Sequence, residues 1–145
     1  MLETYRLLSA GEERDAADGA FFAVENPASG QPVFSVADAT EKDVAAAVEA
    51  ARVAFADGRW SRQRPRERGR VLNRAAALLA GDIDELALLE TTQIGRPIRE
   101  MRSQLQRLPE WLEDFAAVAR SLQGGVPECG PGHLISIRTR PLGAT

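Results

Sequence analysis

The sequence predicts a mixed α/β fold in which antiparallel strands come first, four amphipathic helices follow, and one strand ends the chain. Three observations support this prediction. Strand-forming residues alternate with glycine and proline turns near the start, apolar residues then recur every three or four positions, and near the end they alternate with polar ones. The length of 145 residues suits one globular domain. The corresponding zones are residues 1–39, 40–123 and 124–145.

The first zone predicts strands joined by turns. Its clearest turn is Asn26-Pro-Ala-Ser-Gly30. Asn26 can accept a hydrogen bond from the backbone ahead of it, Pro27 presets φ, and Gly30 tolerates a positive φ. The flanking strand formers are Phe21, Phe22, Val24, Val33, Phe34 and Val36.

The second zone predicts three helices with clear start and stop signals, followed by a fourth. Thr40 with Asp43 forms a capping pair for the first helix, whose apolar face ends near Asp57-Gly58. Pro65 suits the first turn of the second helix, which Gly81 ends. The third helix is predicted from Asp82, paired with Glu85 as its cap, to Gly95. The apolar positions of the three helices are Val44, Val48, Ala51 and Phe55; Val71, Leu72, Ala75, Leu78 and Leu79; Leu86 and Leu89.

The fourth helix is predicted to begin at Pro97 and to continue for about 25 residues, with a kink at Pro109. Its stripe could pair with another helix in a coiled coil. Met101 and Ala119 pack weakly in such a seam, and the flanks lack complementary charges, so we expect an intramolecular core instead. The stripe consists of Ile98, Met101, Leu105, Leu108, Leu112, Phe115, Ala119 and Leu122.

After the fourth helix, the sequence predicts a glycine- and proline-rich loop from Gln123, followed by a strand from Leu134 to Arg140. A terminal strand of this kind has an open edge that favours pairing. Within the chain, only the first zone could supply its partner.

Composition and charge exclude several classes of function. Six arginines between Arg59 and Arg70 could bind phosphate or nucleic acid, but Glu67 interrupts them and only Trp60 is available for base stacking. A solvated helix entrance is the better interpretation, and we expect no nucleic-acid partner. No stretch approaches the ~20 apolar residues of a membrane span, and the start does not resemble a signal peptide. We therefore expect a soluble, cytoplasmic protein without membrane contact.

Candidate chemical groups are few. Cys129 and His133 are four residues apart, but the intervening glycines and proline exclude a helix, and two ligands do not make a zinc site. The acids of the third helix, Asp82, Asp84 and Glu85, are explained by the helix dipole. No glycine-rich phosphate turn or Gly-x-Ser-x-Gly motif is present. We predict no catalytic, cofactor-binding or metal-binding residue in this sequence.

Several motifs occur in an order that resembles the NAD(P)-dependent aldehyde dehydrogenase superfamily, from about Leu7 to Gly143. A capped alanine-rich helix and a long helix accompany four short patterns. These are Asn26-Pro27 with Gly30; Arg68 with Leu72 and Ala76; Glu90-Thr91 with Gly95-Arg96-Pro97; and Arg140-Pro141-Leu142-Gly143. Each is weak alone, but together they indicate the N-terminal portion of such an enzyme, an incomplete aldehyde dehydrogenase-like fold.

The resemblance implies NAD or NADP as cofactor of the complete enzyme, with none bound by this segment alone. In the family, the nucleotide-binding lysine and glycine turn, the general-base glutamate and the nucleophilic cysteine all follow the Pro-Leu-Gly element. Cys129 precedes that element and is not the nucleophile. Gln93 replaces an acid that, in many members, holds a structural monovalent cation together with carbonyls corresponding to Val24 and Glu25.

Three functions from different classes follow. The chain is either the N-terminal segment of an aldehyde-oxidising enzyme, inactive alone, or a non-catalytic module that binds dehydrogenase subunits through its edge strand, or an unrelated helical scaffold. The resemblance implies that residues 40–123 form helices of the NAD-domain scaffold. It also implies that residues 134–140 belong to an oligomerisation arm that ends before the nucleotide-binding sheet. The expected partners are the remainder of the dehydrogenase or neighbouring subunits, with self-association through the C-terminal strand.

Overall fold

The computed structural model describes residues 2–143, so the outermost residues of the first and third zones lie outside the described part. Strands come first and helices follow, as the sequence predicts. The strands are β1 (Glu3–Tyr5), β2 (Leu7–Ser9), β3 (Glu12–Arg14), β4 (Phe21–Asn26) and β5 (Gln31–Ala37). The helices are α1 (Glu41–Asp57), α2 (Pro65–Gly81), α3 (Ile83–Ile94), α4 (Ile98–Leu105) and α5 (Leu108–Ser121).

The strands form a three-stranded sheet in the order β1-β5-β4 and a separate β2-β3 hairpin. The Asn26–Gly30 turn is confirmed, since Asn26 Oδ1 accepts a hydrogen bond from the Ala28 N–H at 2.9 Å and Gly30 has φ 66°. The expectation of purely antiparallel strands is wrong, because β1 pairs parallel with β5. The chain between them is long enough to cross over, and the Tyr5 and Phe34 rings meet edge to face at 5.4 Å.

The predicted N-terminal cap of helix α1 is confirmed. Thr40 Oγ1 accepts from the Asp43 N–H, the Thr40 N–H donates to Asp43 Oδ2 at 3.0 Å, and Gly58 ends the helix with φ 74°. Asp43 Oδ2 also accepts from the Ala17 N–H at 3.0 Å. One carboxylate therefore ties the loop before β4 to the start of α1.

This carboxylate gives α1 a predicted acid sensitivity. The hydrogen bonds from the Ala17 N–H and then the Thr40 hydroxyl lower the pKa of Asp43. Because the folded-state pKa is depressed, the stabilisation is complete above the ordinary Asp pKa of ~4 and is lost as pH falls through the lower folded value. We expect the difference in Tm between wild type and Asp43→Asn to shrink below about pH 4. A difference that stays constant over this pH range would contradict the assignment.

Two predictions for the helices need correction, a side-chain cap and a helix length. Asp82 precedes α3 as predicted, but its side chain makes no cap, because its backbone (φ −107°, ψ 6°) is not in the extended conformation that lets an N-cap side chain reach the first-turn N–H groups. The single kinked fourth helix is wrong as well: α4 ends at Leu105 and α5 begins at Leu108. Pro109 cannot donate to the carbonyl four residues earlier, so the chain breaks there and proline takes a first-turn position of the new helix.

The predicted strand over residues 134–140 is also wrong. The segment makes a single antiparallel bridge, between Gly125 and Ile137, and its residues are exposed. Its partner is neither β1 nor any other strand of the first zone. A single bridge is not a ladder, so residues 134–140 form no strand of a sheet.

The interior is small. The tightest packing joins α2 to α5, where Gly69, Ala76 and Ala116 are buried, and α3 packs on α4 through Ala87 and Met101. Among residues 2–143, the buried apolar residues are alanines and one methionine: Ala16, Ala37, Ala76, Ala87, Met101 and Ala116. No helix in this range combines the length and apolarity needed to cross a membrane.

Candidate functional site

The most extensive candidate site is an uncovered apolar surface. The apolar stripe of α1 is exposed, with Val44 at 54% and Val48 at 61% of their full accessible areas. In the fourth-helix stripe, Phe115 on α5 is 64% exposed, and Leu122 just after α5 is 57% exposed. The intramolecular core expected for the fourth-helix stripe is therefore only partly formed. Met101 is buried and five other stripe residues are half-buried: Ile98, Leu105, Leu108, Leu112 and Ala119.

Part of this surface forms a groove of about 1060 Å³ between the end of α1, the end of α5 and residues 137–143. Its apolar lining includes Phe55, Trp60, Leu122, Ile137 and Leu142. Leu142 is 97% exposed, so the last residues of the described chain leave the groove open. A groove of this size and composition is typical of a surface that another polypeptide segment covers.

The arginine-rich segment before α2 is a solvated helix entrance, as predicted. Arg59 pairs with Asp57 at 2.7 Å, Arg68 donates to the Gln63 carbonyl at 2.7 Å, and Arg70 pairs with Glu67 at 2.9 Å. The guanidinium of Arg59 lowers the pKa of Asp57 through this hydrogen bond. These side chains stabilise the α1–α2 connection rather than converging on one point.

A second hollow, of about 620 Å³, lies along α4 and the start of α5 and was missed by sequence reasoning. Its side chains follow helical spacing on a different face from the apolar stripe, and this spacing is the signal that could have revealed it. The lining residues are Arg96, Arg99, Glu100, Ser103, Gln104, Arg107 and Trp111.

Cys129 and His133 each contact a backbone oxygen of their own loop. Cys129 Sγ contacts the His133 backbone oxygen at 2.9 Å, and the His133 ring nitrogen Nδ1 lies 3.3 Å from the Pro131 oxygen. Both side chains thus hold the loop locally. Within residues 2–143, no three His, Cys, Asp or Glu side chains lie close enough together to hold a metal ion.

The position implied for a structural cation carries a neutral side chain. Gln93 is half-buried, and its Nε2 donates to Glu90 Oε1 at 3.4 Å. The neighbouring Thr91 Oγ1 is buried without a hydrogen-bond partner among the described residues. Gln93 supplies no negative charge, so this donor set does not fit the charged cation site of the family, and we derive no role for a cation here.

The strand-to-helix junction between β5 and α1 lacks the glycines of a nucleotide-binding turn. Its sequence, Ala37-Asp-Ala-Thr-Glu41, contains no glycine that would let a phosphate approach the backbone. The carboxylate of Asp43 already occupies the helix start and would repel a phosphate. Within residues 2–143, no other strand leads directly into a helix.

Comparison with known proteins identifies the family. The family model described as "Aldehyde dehydrogenase family" matches residues 14–145, nearly the whole chain. The chain belongs to the aldehyde dehydrogenase family. This confirms the resemblance inferred from the sequence motifs and the aldehyde dehydrogenase-like α/β class.

Individual aldehyde dehydrogenases match over the same region. The chain is 38% identical to aminoacetaldehyde dehydrogenase of Pseudomonas aeruginosa, with 92% of this chain and 27% of that protein covered. It is 32% identical to the NADP/NAD-dependent aldehyde dehydrogenase PuuC of Escherichia coli, with 95% and 28% covered. The crystal structure of an NAD-dependent aldehyde dehydrogenase from Sinorhizobium meliloti superposes with a TM-score of 0.83 at 33% identity, with 88% and 26% covered. The chain therefore spans about a quarter of the length of its dehydrogenase relatives.

Proposed function

We propose that this chain is the N-terminal scaffold segment of an NAD(P)-dependent aldehyde dehydrogenase, which oxidises an aldehyde to a carboxylic acid. The observation that carries the proposal is the family match over a quarter of the relatives' length. The segment supplies no catalytic group and binds no nucleotide by itself. The glycine-free β5–α1 junction and the absence of a nucleophile–base pair among residues 2–143 support this division of roles.

The role of the segment in this proposal is packing. Residues 40–123 provide helices that lie on the outside of the nucleotide-binding sheet, and their exposed apolar faces contact the remaining three quarters of the enzyme. The groove around Phe55, Trp60 and Leu122 supports this proposal, because it is large, apolar and open. Burial of this groove would stabilise the assembled enzyme by roughly 25 cal/mol for each Å² of apolar surface removed from water.

A segment exchange tests the proposal. The matching segment of the Pseudomonas aeruginosa relative would be replaced by this chain, and NADH formation from aminoacetaldehyde would be followed by absorbance. We expect the chimera to oxidise the aldehyde and the isolated chain to show neither oxidation nor a saturable NAD isotherm. A chimera carrying Val44→Glu and Val48→Glu should be inactive, because charges on the α1 face prevent its burial.

Two results would overturn the proposal. NAD binding by the isolated chain at micromolar affinity would place the cofactor site within this segment. A folded but inactive chimera, with the same sedimentation coefficient as the relative, would show that the segment does not support the catalytic part.

A second candidate function is a non-catalytic module that binds dehydrogenase subunits through residues 134–140. It is favoured by the exposure of this segment, in which Leu134 is 83% and Ile137 59% exposed. Apart from the bridge between Ile137 and Gly125, residues 134–140 pair with no other backbone in the part of the chain that the structure describes. In this proposal, the partner adds a strand to this segment.

A further inference from the structure

The hollow along α4 and the start of α5 has a charge that the fold itself does not balance. It contains three arginines, Arg96, Arg99 and Arg107, and one acid, Glu100. Glu100 lies 3.9 Å from Arg96, at the limit of an ion pair. No carboxylate among residues 2–143 pairs with Arg99 or Arg107, which leaves two uncompensated guanidinium groups.

The backbone arranges these groups around one space. Arg96 Nη1 donates to Gln104 Oε1 at 2.7 Å, which holds the first guanidinium against α4. The helix break between Leu105 and Leu108 places Arg107 at the start of α5. The backbone N–H of Trp111 donates to the backbone carbonyl of Arg107 at 3.1 Å. Trp111, one turn beyond Arg107, lines the same hollow.

Trp111 is 52% exposed, although tryptophan is usually well buried. An exposed indole beside unpaired arginines supplies both halves of a recognition site. Guanidinium groups bind planar carboxylates through paired N–H donors, and an indole face packs against an apolar or aromatic body.

We propose that this hollow binds a small carboxylate ligand with an apolar or aromatic body. Arg99 and Arg107 hold the carboxylate, Trp111 packs against the body, and Arg96 completes the positive wall. The volume of about 620 Å³ suits a ligand of this size. The inference rests on the described residues of this chain and does not depend on the proposed dehydrogenase role.

Tryptophan fluorescence of the isolated chain tests this site, with benzoate as the probe. The chain has two tryptophans, so the titration would be repeated with Trp60→Phe and Trp111→Phe to assign the signal. We expect a saturable change that remains in Trp60→Phe and is lost in Trp111→Phe. Arg99→Gln and Arg107→Gln should each weaken binding about 10-fold, because each removes a charge-assisted pair of hydrogen bonds.

The controls separate a built site from general charge attraction. Arg74→Gln removes an exposed arginine of α2 outside the hollow and should leave the affinity unchanged. Benzamide has the same ring without the charge and should not compete. The proposal is overturned if benzoate gives no saturable signal, if Arg74→Gln weakens binding as much as Arg99→Gln, or if inorganic phosphate binds as tightly as benzoate.

Discussion

Gly69→Leu is expected to lower the free energy of unfolding by about 3 kcal/mol, because overpacking at a close helix contact forces backbones apart. Gly69 is buried where α2 crosses α5. A Cβ atom placed there would lie 3.1 Å from the Ala116 carbonyl oxygen and 3.6 Å from Arg120 Cδ. Even alanine would be tight at this position, and the three further carbons of leucine have no space.

The matched control is Gly81→Leu in the last turn of the same helix. A Cβ at Gly81 meets no atom within 4 Å. Leucine has a higher helix propensity than glycine, so this change should cost less than about 0.5 kcal/mol or stabilise the helix. Urea unfolding followed by circular dichroism at 222 nm, the usual helix signal, compares the two variants. Equal midpoints would show that the α2–α5 contact is not close.

Self-association of the isolated chain is the second large effect that we expect. Its accessible surface is 11256 Å², whereas a compact monomer of this length exposes roughly 7300 Å². The excess includes the apolar faces of α1 and α5 and the segment 134–140. We expect binding of a hydrophobic dye and a sedimentation coefficient that rises with protein concentration.

Charges in the C-terminal segment should oppose this association. Ile135→Lys with Ile137→Lys should lower the association constant about 10-fold or more while leaving the helical circular dichroism unchanged. Leu78→Lys changes a residue of α2 that is 64% exposed and serves as the control outside the segment. If Leu78→Lys lowers the association constant equally, association depends on exposed apolar surface in general and not on the C-terminal segment. A compact monomer at high concentration, without dye binding, would contradict the uncovered surface itself.

The sequence was a good guide to features set by neighbouring residues. The Thr40–Asp43 capping box, the helix start at Pro65 and the left-handed ends at Gly58 and Gly95 all form as predicted. Each depends on a backbone preference or a hydrogen bond within a few positions, which the local sequence contains.

Features that depend on distant partners were predicted less well. The parallel pairing of β1 with β5 joins residues about 30 positions apart, and no local signal specifies its direction. Apolar and polar residues alternate along residues 134–140 as in a strand, but the segment pairs with its neighbour at one position only. Pro109 was recognised as a kink, but its position allowed a complete helix break.

The candidate sites show the same limit. Helical spacing identified the apolar faces, yet the residues that the chain itself buries are mainly alanines, where helices approach closely. Whether Val48 or Phe115 is buried depends on which other part of the protein packs against it, and the local sequence does not contain that information. The arginine hollow was missed because its members are mostly charged and polar side chains at helical spacing, a pattern that is also typical of an ordinary solvated helix face.

The shallow interior also has a thermodynamic consequence. A fully unfolded chain of this length exposes roughly 22,800 Å², so folding to the observed surface removes only about half of it, against 68–70% for a typical domain of this size. The heat-capacity increment of unfolding and the denaturant slope both scale with the area exposed. Both should therefore be about three quarters of the values usual for 145 residues. The stability curve of the isolated chain would accordingly be broad and flat, with a gradual response to heat and urea.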